Sequence, residues 1–266
     1  MMYQKNARIL WNRNILGKYY RIGISCPKGF QTALAGQFVM LRLTDDPMPL
    51  LRRPFSIHGM IWDASGFCGI ELLYKVVGNG TNTLSKITVD QEINMLGPLG
   101  NGFNLEENVD SALIVAGGIG VAPMIFLTKC LLQKGKQCHV HVLYGGQTAD
   151  DLFCTDIFND LGVALQLYTE DGSVGKKGWV TDEMHTIIRQ IRPDMIYACG
   201  PNPMLANISK IAKENEISCR LSLEAHMACG MGACLGCAVA SKDTQKRYFH
   251  VCKDGPVFDA NDIIMQ

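Results

Sequence analysis

Four cysteines carry the clearest chemistry in this chain. The stretch "EAHMACGMGACLGCAV" (224–239) holds Cys229, Cys234 and Cys237, and Cys252 follows in "YFHVCKDGPVF". Such a set can form a disulfide knot, a zinc site, a redox pair or a centre that carries electrons. The C-x4-C-x2-C run with a distant fourth cysteine is the plant-type spacing of a [2Fe–2S] cluster. Zinc loops usually pair two short knuckles, whereas here a triplet faces a singleton. Cys234 and Cys237 form C-x2-C but do not open a helix after a strand, as a thioredoxin-like pair would. Gly230, Gly232 and Gly236 let the loop wrap tightly and aim N–H groups at sulfur. Met231, Ala233 and Leu235 are expected to keep water off the centre. No acidic residue lies between 227 and 242, which suits an anionic cluster.

The chain has eleven cysteines in 266 residues. The number is odd and the chain is not small, so a disulfide framework is not expected. Isolated cysteines in apolar surroundings, such as Cys130 in "LTKCLLQ", read as small buried hydrophobes.

A second kind of chemistry lies in two glycine turns. "LIVAGGIGVAPM" runs a buried strand into Gly117, Gly118 and Gly120, and a helix begins near Pro123. Backbone N–H groups at such a turn can approach a phosphate, and the helix N-terminus favours negative charge. The pattern departs from G-x-G-x-x-G because Pro123 stands in the third glycine position. A tight strand-to-helix connection without a ligand would need the same glycines. "YACGPNPML" (197–205) places Cys199, Gly200 and Pro201 at the end of a later strand. In an open α/β sheet ligands bind outside the carboxyl ends of the strands, so both turns lie on the rim of a nucleotide crevice. "LRRPFSIHG" offers Arg53 for a phosphate and Ser56 for the edge of a heterocycle. "LYKVVGNGTNTL" offers a turn at Gly78–Gly80, followed by Thr81. Each of these two stretches also reads as an ordinary hairpin.

These groups need elements to hold them. Residues 1–102 read as short strands ("RIGIS", "QFVMLRL", "FSIHGM", "GIELLYKVV") separated by Gly, Pro and Asp, which points to an antiparallel barrel or sandwich. "MLGPLGNGF" (95–103) closes this zone as a Gly/Pro-rich turn. In residues 103–222 strand and helix alternate, which points to a parallel sheet covered by helices. Its first helix follows Gly120, with Gly135 marking the C-terminus, and "DDLFCTDIFNDL" (150–161) reads as the next helix. Residues 223–266 form a small third zone around the cysteines. The fold class is therefore multidomain.

The charges balance, 25 basic against 25 acidic. No basic stripe suggests nucleic acid. "SALIVAGGIGVAPMIFL" is broken by glycines and a proline and does not read as a membrane span. "MMYQKNARILWNRNILG" has no apolar export core. The expectation is a soluble cytoplasmic protein.

The ordered motifs "RRPFSI", "GNGT", "GGIGVAPM", "YACGPNPM", "SLEAHMACGMGACLGC" and "VCKDGPVF" resemble the electron-transfer subunits of class 1B (NAD-dependent) dihydroorotate dehydrogenases. These belong to the ferredoxin-reductase-like superfamily. The resemblance covers residues 5 to 262, and the cysteine segment is its most specific part. It implies an FAD-binding barrel. There Arg53, Pro54, Phe55 and Ser56 match the flavin motif, Leu73, Tyr74 and Lys75 a second flavin strand, and Gly80 and Thr81 a phosphate turn. The superfamily often has Tyr where Phe55 stands, so a hydroxyl contact is lost while ring packing can remain. NAD would bind through Gly117, Gly118, Gly120, Cys199, Gly200 and Pro201. Cys229, Cys234, Cys237 and Cys252 would hold the cluster, and Cys199 and Glu224 would lie near the nicotinamide.

The resemblance further implies an oxidoreductase subunit with no dihydroorotate site of its own. A separate FMN-containing catalytic subunit would oxidise dihydroorotate in pyrimidine biosynthesis, in a heterotetramer with no membrane or nucleic-acid partner. NAD accepts hydride, a cluster passes single electrons, and a flavin does both. A related flavin/[2Fe–2S] subunit of a hydrogenase or sulfite-reductase complex is the alternative. "LYGGQTADDLF" lacks a cation for a 2′-phosphate, which favours NAD over NADP, although Lys176 and Lys177 lie in a loop that could reach the site.

Overall fold

A computed structural model describes residues 2–43, 50–133, 138–243, 245 and 247–265. Gly135 lies outside these residues. The first six strands are β1 (Tyr3–Leu16), β2 (Tyr19–Ser25), β3 (Phe38–Arg42), β4 (Arg53–Asp63), β5 (Gly66–Lys75) and β6 (Glu92–Leu99), with a short helix α1 (Asn79–Leu84) before β6. They close into an antiparallel barrel in the order β1-β2-β5-β4-β3-β6. Closure removes every open edge from this sheet. β1 achieves it by serving two partners: Tyr3–Arg8 pair with β6, and Ile9–Leu16 with β2.

Two features here differ from the sequence expectation. β1 was not anticipated, and residues 95–99 are strand rather than turn, since Met95, Leu96, Gly97 and Leu99 pair with β1 and β3. The Gly78–Gly80 stretch opens α1, with Gly78 as its N-cap.

The second group comprises β7 (Ser111–Gly117), α2 (Val121–Gln133), β8 (His139–Gly146), α3 (Thr155–Asp160), β9 (Ala164–Thr169), β10 (Lys176–Lys177), α4 (Met184–Ile191), β11 (Met195–Cys199), α5 (Asn202–Glu214) and β12 (Ser218–Ser222). The helix expected over 150–161 is split. A 3-10 turn covers Ala149–Asp151, and Cys154 takes φ +59, a left-handed conformation that ends one turn before α3 begins.

The third group is β13 (Ala238–Ala240), β14 (Tyr248–His250) and β15 (Val257–Asp259). β15 joins the main sheet, whose order is β10-β9-β8-β7-β11-β12-β15, and it pairs antiparallel with β12. The other pairs of that sheet are parallel. The strand order reverses between β7 and β11, which makes the crevice at their carboxyl ends the expected ligand site.

Alternation along the strands assigns the two faces of the sheet. Ala112, Ile114 and Ala116 share a core with α2 and the barrel. Leu113 and Val115 share a core with α4, α5 and the cysteine segment. α2 is apolar around most of its circumference because it lies between the sheet and β4 of the barrel. No helix among the described residues is long and apolar enough to cross a membrane.

Candidate functional site: two joined clefts and a cysteine loop

The cysteine loop leaves the end of β12 and returns to β15, so its ends are anchored in the parallel sheet. None of the eleven cysteines is in a disulfide. Cys237 and Cys252 are buried with their sulfurs 3.2 Å apart. Cys234 is exposed, and its amide donates to Cys229 Sγ at 3.4 Å. The thiols thus group as two pairs. Among the described residues no three ligating side chains converge on one metal position. A [2Fe–2S] centre takes four cysteines over two irons, and two pairs fit it.

The loop also points amides at sulfur. Met231 donates to Cys229 Sγ at 3.4 Å, Gly232 to Cys252 Sγ at 3.1 Å and Cys252 to Cys237 Sγ at 3.4 Å. Burial raises the Cys229 thiol, but amide hydrogen bonds from Met231, Cys234 and Ala233 outweigh it and bring the thiol down to about 6. Cys252 is pushed up to about 12 by burial and by the adjacent Cys237 sulfur. At Cys252 this crowding disfavours the anion until a cation sits beside the sulfurs, whereas at Cys229 the amides already favour it. The residues present fit the cluster.

Met231 and Leu235 are two of the side chains expected to keep water off the centre. They stand 45% and 58% exposed, close in sequence to Cys234. They form an apolar rim that faces away from the protein.

A first cleft of about 650 Å³ runs along the barrel. Arg53, Pro54, Phe55 and Ser56 of β4 line it, as do Leu73, Tyr74 and Lys75 of β5 and Gly80 and Thr81 of α1. Phe55 and Tyr74 meet edge to face at 6.1 Å, so the ring packing persists without a hydroxyl on Phe55. The Tyr74 hydroxyl donates to Asn12 Oδ1 at 3.0 Å, which fixes the ring where it lines the cleft. The Thr81 hydroxyl serves its own turn, accepting from the Val77 amide at 2.9 Å and donating to Gly78 O at 3.2 Å. Nothing lies within 4 Å of where a Gly78 side chain would start, so the backbone there is bare to the cleft. Apolar walls, one arginine and bare backbone suit a flavin nucleotide.

A second cleft of about 800 Å³ lies over the sheet switch point, lined by Gly117, Gly118, Gly120, Gly200 and Pro201. The glycines divide their work. A side chain on Gly120 would start 2.4 Å from Cys199 O, and one on Gly117 would start 2.8 Å from Met204 Sδ. These two let the turns after β7 and β11 interlock. Gly118, at φ +51 with nothing within 4 Å, is the one that opens to the cleft. Backbone N–H groups at this helix entrance suit a dinucleotide phosphate.

Lys75, Ile119, Gly120 and Glu224 line both clefts. The clefts are therefore contiguous. Glu224 is open to them, while surrounding protein desolvates its carboxyl and raises it above the ordinary value. Cys199 is buried beneath the junction. Burial pushes its thiol up to about 12, so it is a neutral, soft packing group.

Several lining residues escaped the sequence reading. Met227 and Pro256, from the two arms of the cysteine segment, both line the first cleft. Trp179, Glu170 and Asp151 line the second. Their only signal is position in space. Lys176 is ion-paired with Glu183, and Lys177 packs beside Gly172. Neither lysine lines the cleft, whose charged lining residues are Asp151, Glu170, Glu224 and Lys75.

Comparison with known proteins agrees with this geometry. Residues 224–264 match the iron-sulfur cluster binding domain of dihydroorotate dehydrogenase B, and residues 114–210 match an oxidoreductase NAD-binding domain. The chain is 38% identical to the dihydroorotate dehydrogenase B (NAD(+)) electron transfer subunit of Geobacillus sp. (strain WCH70), covering 100% of both chains. It is 38% identical to that of Listeria welshimeri, covering 98% of this chain and 99% of the relative. Among solved structures, a chain of the NADH-dependent reduced ferredoxin–NADP oxidoreductase matches with a TM-score of 0.83 and 27% identity, covering 97% of this chain and 90% of that one. A closed barrel, a switch-point sheet and a four-cysteine segment thus occur together in a chain that matches these subunits from end to end, and it belongs to the family of dihydroorotate dehydrogenase B (NAD(+)) electron transfer subunits.

Proposed function

We propose that this chain carries electrons between NAD and a separate catalytic subunit that bears FMN and oxidises dihydroorotate, in the cytoplasm. One observation carries the reading. Both arms of the cysteine segment line the first cleft, and the first cleft opens into the second at Gly120 and Glu224. A line of adjoining sites therefore runs from the cysteine segment to the dinucleotide crevice.

The proposed roles follow from that line. Arg53, Pro54, Phe55, Ser56, Leu73, Tyr74, Lys75, Gly80 and Thr81 hold FAD, with Arg53 on its phosphates and the Phe55 and Tyr74 rings as walls. Gly117, Gly118, Gly120, Cys199, Gly200 and Pro201 shape the NAD side, where Gly118 presents bare backbone. Cys229, Cys234, Cys237 and Cys252 hold the cluster. When bound, a flavin exchanges both hydride and single electrons, which lets one chain serve a hydride carrier and a cluster. The division into 1–102, 103–222 and 223–266 describes three cofactor modules. The exposed apolar side chains of Met231 and Leu235 near Cys234 are the surface offered to the catalytic subunit. A two-plus-two heterotetramer is the assembly proposed.

The test is co-expression with a candidate FMN-bearing subunit. The purified complex should reduce NAD on dihydroorotate, while this chain alone should pass electrons from NADH to artificial acceptors and leave dihydroorotate untouched. Zinc in place of iron after anaerobic purification, with no flavin, would sink the proposal. Co-purification with a hydrogenase-like subunit would favour the alternative.

A further inference from the structure

We propose that Asp151 sets the charge met by a dinucleotide in the second cleft, by holding the Lys75 ammonium in a neutral pair at the rim that the two clefts share. The inference rests on the second cleft taking NAD. Lys75 Nζ lies 3.3 Å from Asp151 Oδ1, although the residues are 76 positions apart. The Tyr19 hydroxyl donates to the same oxygen at 2.5 Å, and the Lys75 ammonium lies 4.9 Å above the Tyr19 ring. The second carboxylate oxygen accepts from the Gln147 amide at 3.2 Å. The backbone is held as well: the Tyr144 hydroxyl reaches Asp151 O at 2.9 Å and Gly118 O at 3.3 Å. One carboxylate thus ties two barrel strands to the loop after β8, close to the open glycine of the phosphate turn.

The charge consequence is specific. Asp151, Glu170 and Glu224 are the acidic residues lining this cleft, and Lys75 is the basic one. With the pair intact, Lys75 offers no net positive charge to an incoming pyrophosphate. Asp151→Asn keeps the shape of the side chain and one acceptor oxygen, which can serve the Tyr19 hydroxyl or the Gln147 amide but not both, and it releases a full positive charge beside the phosphate turn. Lys75→Met does the reverse and leaves a lone carboxylate there. A charge of either sign at this range changes anion affinity by about three- to tenfold. A clasp that merely holds the cleft in shape would lose affinity in both variants.

The experiment is NAD+ titration of the FAD-loaded two-subunit complex at low and high salt. Asp151→Asn should lower Kd about three- to tenfold and steepen its salt dependence, while Lys75→Met should raise Kd by a similar factor. Weaker binding in both variants, or no change in either, overturns the inference. If Asp151→Asn does not load FAD, the salt dependence of Lys75→Met decides: its rise in Kd should shrink at high salt, and an unchanged Kd or a rise that salt leaves unaltered overturns the inference. Wild-type protein that binds no NAD+ would instead sink the dinucleotide reading itself, so the two failures are distinguishable.

Discussion

Gly230 packs on Met40 so closely that a side chain there would start 2.6 Å from Met40 Cγ. Gly230 follows the first cluster cysteine, and Met40 lies on β3 of the barrel. The contact seats the cysteine loop against the wall behind the first cleft.

Gly230→Ala should therefore lift the loop. The residue has φ +72 as well as the close contact, and a Cβ costs about 1–3 kcal/mol in such a conformation. Iron per chain, from metal analysis and visible absorption, should fall well below wild type while flavin content holds.

Cys234→Ser should remove or destabilise the cluster, because Cys234 is one of the four proposed ligands and the exposed one. NADH-driven reduction of an artificial acceptor should remain near wild type, whereas dihydroorotate-driven NAD reduction by the complex should be lost. Survival of the second activity at the wild-type rate would take the cluster off the path.

Glu170 follows β9 and lines the second cleft. A carboxylate there repels a 2′-phosphate and can accept from a ribose hydroxyl. Glu170→Lys should raise the ratio of kcat/KM for NADPH over NADH by roughly tenfold or more. An unchanged ratio would place the ribose elsewhere.

His58 is buried where β4 meets α2. Its Nδ1–H donates to Ala122 O at 2.9 Å, and Nε2 has no partner among the described residues. Burial lowers its pKa to about 4, against about 6.5 in an unfolded chain. Between these values the unfolded state binds the extra proton, so stability rises with pH. The contribution is full above pH 6.5 and lost as pH falls to 4, by about 3 kcal/mol. Urea unfolding from pH 7 to pH 4 should show this slope, and His58→Asn should flatten it.

The cysteine loop was legible in the sequence because its chemistry is local, with three ligands in nine residues and glycines between them. The parallel strands were legible because they are buried on both faces and read as apolar runs. β1 was hidden for the opposite reason. Its ladder to β2 shifts between Ile9 and Trp11, so "YQKNARILWNRNIL" shows no steady alternation. Met227 and Trp179 carry no spacing signature, since neighbours from other segments make them lining residues. The Tyr19–Asp151 contact spans 132 positions and has no expression in local pattern.

β15 has a bearing on how such chains can be recombined. It covers the edge of β12 through Arg220, Leu221 and Ser222, and Phe258 packs in the core that also holds Leu221 and Cys252. A graft that took only the cysteine stretch would strip the donor sheet of its border strand and give the recipient one with no ladder to join. A breakpoint at 223, where the sequence reading begins the third zone, parts β12 from β15 and so cuts through a shared sheet rather than between two portable modules.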